Sequence, residues 1–76
     1  MPHVIVKLWP GPSEQQKQDL AEAIVKGLVA TIKTSEDSVS VAIKEIRPHD
    51  WMEKVYRPDI EKNMAGLHKK PGYEPF

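Results

Sequence analysis

Pro2 stands directly ahead of the apolar run His3-Val4-Ile5-Val6-Lys7-Leu8. Initiator methionine is commonly removed when proline follows it, and loss of Met1 turns Pro2 into a free secondary amine. At the head of a core strand that amine is held still, because a sheet ties down a chain end that is otherwise floppy. An ordinary α-amino group titrates near about 7.7–8.0, and an apolar cleft lowers that value by disfavouring the charged form. A fixed base that is neutral at about pH 7 is what carbon-acid chemistry requires. The plainer reading is that Pro2 only marks methionine removal or blunts a strand start.

Other chemistry-bearing residues are sparse. His3, His49 and His68 do not share zinc-ligand spacing with any further ligand, so the sequence points away from a metal site. No Ser-His-Asp arrangement is legible, and four dispersed glycines make no phosphate loop. Glu14, Glu53 and Glu61 read as solvated helix faces. Trp51 follows a proline-containing turn beyond a core strand, where a large aromatic forms a half-exposed wall for an apolar ligand or simply core. Arg47, four residues earlier, suits a substrate carboxylate, with a solvated arginine as the plain alternative.

The elements that must position these residues are short. Val4 to Leu8 is rich in β-branched residues and reads as a buried strand. Trp9-Pro10-Gly11-Pro12 breaks it. Ser13-Glu14-Gln15-Gln16 fits a capping box and starts a helix at Ser13. Leu20, Ala21, Ile24, Val25, Leu28, Val29 and Ile32 form its apolar face, with Asp19, Glu22, Lys26 and Lys33 opposite. After the polar link Thr34 to Asp37, Val39 to Ile46 alternates with a period of two. Val39, Val41 and Ile43 share the face expected under the helix, while Ser40, Ala42 and Lys44 point the other way. Strand, helix and strand at this spacing predict a right-handed βαβ unit with parallel strands. Beyond it, Asp50 is placed to cap a short turn through Trp51 and Met52. Pro58 suits the first turn of a second helix running to about His68, with Ile60, Met64 and Leu67 on one side. Lys69 to Phe76, with Pro71-Gly72 and Pro75, reads as a non-helical tail.

At 76 residues the chain is read as a single domain, 1–76, near the small end for independent stability. It contains no cysteine, so disulfides and thiolate-bound zinc offer no support. Two strands do not make a stable sheet alone, and the face carrying Ala42 and Ile46 is left without a helix. Self-association through the sheet is therefore expected. Eleven basic residues balance eleven acidic ones, which argues against nucleic acid as a partner. No apolar run reaches the roughly 20 residues of a membrane span, and no signal peptide is visible. A soluble cytoplasmic protein is expected.

Together these segments resemble the 4-oxalocrotonate tautomerase family. The matching features are Met1-Pro2 leading into a short strand, Gly11-Pro12-Ser13-Glu14-Gln15-Gln16-Lys17 opening a long helix, and the strand Ser38-Val39-Ser40-Val41-Ala42-Ile43-Lys44-Glu45-Ile46. Trp51 and the tail Lys69-Lys70-Pro71-Gly72-Tyr73 look most like the small dimeric phenylenolpyruvate-type tautomerases of bacteria. The resemblance implies an α/β fold of the tautomerase type, cofactor-free keto–enol tautomerisation of a small molecule, and Pro2 as the base.

The departures are equally specific. The hexameric members of the family carry an arginine where this chain has Pro12 and a second where it has Ser40. Both dicarboxylate-binding cations are missing, while the aromatic after the second strand is kept as Trp51. That combination implies an aryl or otherwise apolar 2-keto acid or its enol. Ser40 is left to donate a hydrogen bond, and Arg47 or Lys44 to replace a cation. Two other readings compete. One is another proline-dependent reaction, hydration or dehalogenation, which generally relies on arginines. The other is a non-catalytic ligand-binding or assembly module.

Overall fold

The computed structural model describes residues 1–74, so Pro75 and Phe76 at the end of the expected tail lie outside the described residues. Strand β1 spans His3–Leu8, helix α1 Glu14–Ile32 and strand β2 Ser40–Glu45. The strands pair in parallel, with His3 opposite Ser40 and Leu8 opposite Glu45. Backbone packing groups the chain into two compact units, one from Met1 to Glu45 and one from Ile46 onward.

In the first unit, α1 begins where local chemistry dictates. Ser13 takes an extended backbone conformation, and its Oγ accepts from the Gln16 N–H at 3.1 Å. The Ser13 N–H donates to Gln16 Oε1 at 2.8 Å, so two orphan donors are satisfied reciprocally. Ahead of it, Gly11 has φ +153°, a conformation in which a side chain is strained. The helix stops at Lys33, in the left-handed region at φ 60°. A 3₁₀ turn, Glu36–Ser38, then feeds β2.

Lys17 links the start of the helix to the end of the sheet. Its Nζ lies 2.9 Å from Glu45 and 3.2 Å from Glu14. The Glu45 carboxylate, and after it Glu14, raises the lysine's pKa above its ordinary value by stabilising the charged form.

The period-two reading of the sheet holds. Val4, Val6, Val41 and Ile43 are half-buried, as are Ala21, Ile24, Val25 and Leu28 on the apolar face of α1. Leu20, Val29 and Ile32, at the margins of that face, are exposed. The opposite face of the sheet sets His3, Ile5 and Lys7 beside Ser40, Ala42 and Lys44. Ile46 was expected on that face, but pairing stops at Glu45 because β1 ends at Leu8 before Trp9-Pro10. Ile5 is instead the large apolar residue there, and it is 47 % exposed.

The second unit differs from its expected form. A 3₁₀ turn, Pro48–Asp50, leads directly into a π-helical segment, Met52–Ile60, and a further 3₁₀ turn, Glu61–Gly66. The Asp50 carboxylate pairs with Lys54 at 3.5 Å. Pro58 lies inside the helix rather than in its first turn. A proline ring clashes with the carbonyl four residues back, and the wider π turn relieves that clash. At the exit the Glu61 N–H is shared between the carbonyls of Arg57 and Tyr56, where i→i−5 bonding reverts toward i→i−4. A non-helical Asn63 and an extended Leu67 end the helical stretch at Gly66, short of His68. Among the described residues only Val55 and Tyr56 are buried, at 5 % and 6 %.

Candidate active site

Pro2 is half-buried and fixed through its carbonyl. The Ser40 N–H donates to the Pro2 C=O at 3.2 Å, extending the parallel ladder one residue past β1. Met1 is fully exposed, so its removal takes no packing away from the strand. With Met1 gone, the Pro2 nitrogen is an amine whose lone pair is anchored within one residue of a sheet hydrogen bond.

Ser40 does more than hold the carbonyl. Its Oγ lies 2.6 Å from His3 Nδ1, across a separation of 37 residues in sequence. The register explains the contact, since His3 and Ser40 are directly opposed and share a face. Spacing in the sequence gives His3 no role; the signal that finds it is the pairing of the two strand starts, which sets His3 opposite Ser40.

The other two candidate residues lie in the second unit. Arg47 is exposed, with extended backbone, and its carbonyl accepts from the Asp50 N–H at 2.9 Å. Trp51 is half-buried and its indole Nε1–H donates to Tyr73 Oη at 3.3 Å. The Tyr73 ring in turn lies 6.1 Å from Tyr56, tilted at 54°. That spacing suits an aromatic pair, so Trp51 is part of a three-membered aromatic cluster rather than an isolated wall. Tyr56 and Tyr73 were not expected as its partners, because the tail gives no periodic signal.

Pro2 and Ser40 are thus brought together, and Trp51 and Arg47 occupy the same turn-and-helix unit. A groove of about 470 Å³ in the first unit is lined by Gln18, Ala21, Glu22 and Val25 of α1 and by Val41 of β2. Val41 faces the helix, whereas the Ser40 side chain points to the other side of the sheet. Among the described residues no cluster of three histidine or carboxylate side chains could hold a metal ion. No helix among them is long and apolar enough to cross a membrane.

Comparison with known proteins agrees with this architecture. A family model described as tautomerase enzyme matches residues 2–56. A probable tautomerase of Xylella fastidiosa is 41 % identical over 73 residues, covering 96 % of this chain and 89 % of its own length. Tautomerase PptA of Pectobacterium carotovorum is 43 % identical over 74 residues, covering 96 % and 97 %. The crystal structure of YwhB, a homologue of 4-oxalocrotonate tautomerase, superposes with a TM-score of 0.59 at 35 % identity, over 60 % of this chain and 75 % of that one. The chain therefore belongs to the 4-oxalocrotonate tautomerase family and is an isomerase of the tautomerase type, interconverting keto and enol forms.

Proposed function

We propose that this tautomerase ketonises the enol of a small aryl 2-keto acid, phenylenolpyruvate being the representative substrate, with the Pro2 nitrogen as its base. The observation that supports the base assignment is the Ser40 N–H bond to the Pro2 carbonyl, which ties Pro2 to the head of the sheet. The neutral amine takes the proton of the enol hydroxyl as the carbonyl forms, and the ammonium returns a proton to the adjacent carbon. The amine ends neutral, and no proton is gained or lost overall.

The aryl assignment rests on what replaces charge. Pro12 and Ser40 stand where the hexameric members of the family carry two dicarboxylate-binding arginines, and Trp51 bonds to Tyr73, whose ring neighbours Tyr56. Trp51 is assigned to the aryl ring, Arg47 to the single carboxylate and Ser40 to a substrate oxygen. Lys44 is the alternative to Arg47 as the cation for that carboxylate.

The working form is proposed to be a homo-oligomer, a dimer in preference to a hexamer. Support comes from the thin core: the βαβ unit buries no described side chain completely and leaves Ile5 half exposed at the centre of one sheet face. A second copy would cover such a face.

The test is Pro2→Ala assayed by the ultraviolet absorbance of phenylenolpyruvate. Turnover is expected to fall roughly 10²–10⁴-fold, the usual contribution of a positioned proton-transfer group. Wild-type turnover in the variant overturns the proline mechanism. Intact mass of the purified enzyme should show Met1 absent; a retained Met1 makes Pro2 nitrogen an amide and favours a non-catalytic module.

A further inference from the structure

The chemistry above leaves His3 without a task, although its Nδ1 lies 2.6 Å from the hydroxyl of the residue that holds the Pro2 carbonyl. We infer that His3 is a positioning residue for the reaction: through Nδ1 it turns the Ser40 hydroxyl into a hydrogen-bond donor toward an oxygen of the anionic substrate beside Pro2. The inference rests on the reading of Pro2 as the base and assigns the neighbouring oxygen contact to a built pair.

Donors and acceptors decide which tautomer serves. A neutral imidazole has one N–H and one bare nitrogen. If Nδ1 is bare, it takes the Ser40 hydroxyl hydrogen, and Oγ then offers only lone pairs, which repel an oxyanion. If Nδ1 carries the hydrogen, it donates to Oγ and the hydroxyl hydrogen is released for a second acceptor. A carboxylate or enolate oxygen arriving at Ser40 selects the second arrangement, by a tautomer exchange that needs no change in net charge.

Geometry makes the pair specific to this end of the sheet. Opposed residues on one face of a parallel pair are the ones whose side chains meet, and His3 and Ser40 are the first such pair. The charged residues sharing their face are Lys7 and Lys44, which oppose each other four residues farther along, roughly 13 Å away. The His3–Ser40 pair is therefore the polar contact on that face nearest Pro2. One residue, Ser40, holds the base by its backbone and the substrate oxygen by its side chain.

The experiment compares H3A, H3N, H3Q, S40A and the double variant H3A/S40A on phenylenolpyruvate. H3A and S40A should each lower kcat/KM about tenfold, chiefly through KM, the scale of one hydrogen bond to a charged group. The double variant should be no worse than S40A, because both changes remove the same contact. H3N, whose side-chain amide stands where Nδ1 stood, should recover most of the loss, and H3Q should not. NMR of the His3 imidazole nitrogens adds a readout independent of turnover: phenylpyruvate should increase the Nδ1–H tautomer. The inference is overturned by H3A within twofold of wild type, by multiplicative losses in H3A/S40A, by equal rescue from H3N and H3Q, or by an unmoved tautomer. Its failure is distinct from failure of the base: an inactive P2A with an unaffected H3A removes only the role of His3, whereas a fully active P2A removes the proline mechanism.

Discussion

Replacing Ile5 with lysine tests whether the sheet face opposite α1 is where copies of the chain meet. Ile5 sits at the centre of that face beside Ala42 and retains 47 % of its exposure. Full burial of an isoleucine side chain is worth about 1.5–3 kcal/mol, so covering the exposed half contributes about 1 kcal/mol per copy. In a two-fold dimer each copy presents the same patch, which makes about 2 kcal/mol from this residue alone. Losing that amount raises the dissociation constant about 30-fold. The figure is a floor, because the new ammonium group joins Lys7 and Lys44 on the same face and must be desolvated or expelled. Sedimentation velocity over a concentration series reads the constant, with circular dichroism to confirm that α1 persists. Thermal midpoints offer a second reading, since a dimer's midpoint rises with concentration and a monomer's does not. A folded wild-type monomer at micromolar concentration, or an I5K variant that associates as tightly as wild type, rules out this face as the contact between copies.

Three further outcomes follow from single contacts. Ser13→Ala removes the bond from the Gln16 N–H to the Ser13 hydroxyl and should cost about 1 kcal/mol, a fall in Tm of about 4–8 °C for a domain of this size; an unchanged thermal midpoint refutes it. Lys17→Met should lower Tm at neutral pH, and the gap to wild type should close in alkali. The folded pKa of Lys17 is raised, so its stabilisation is complete below the ordinary value of 10.5 and is lost as pH climbs through the higher folded value; a gap that persists well above that range refutes the tether. Trp51→Ala should reduce the preference for aryl over alkyl enols by about tenfold in kcat/KM, and an unchanged ratio across a substrate panel removes Trp51 from substrate contact.

What the amino-acid order determined by itself is the part governed by neighbours in sequence. The capping box needs only residues three apart, and the Ser13 to Gln16 bonds form as read. Strand alternation is likewise local, so Val41 and Ser40 fall on opposite faces as expected, and Pro2 stands at the strand head because it is written there. Tertiary structure decided what depends on pairing across distance. His3 meets Ser40 only because the parallel register opposes two residues 37 positions apart, and the same register leaves Ile46 beyond the sheet and Ile5 on the face. Trp51 finds Tyr73 across 22 residues with no periodic signal in the tail to announce it. Pro58, a helix starter by local preference, lies inside a π-helix that buries Val55 and Tyr56. Local propensity is a matter of tenths of a kcal/mol per residue, and packing two large side chains outweighs it.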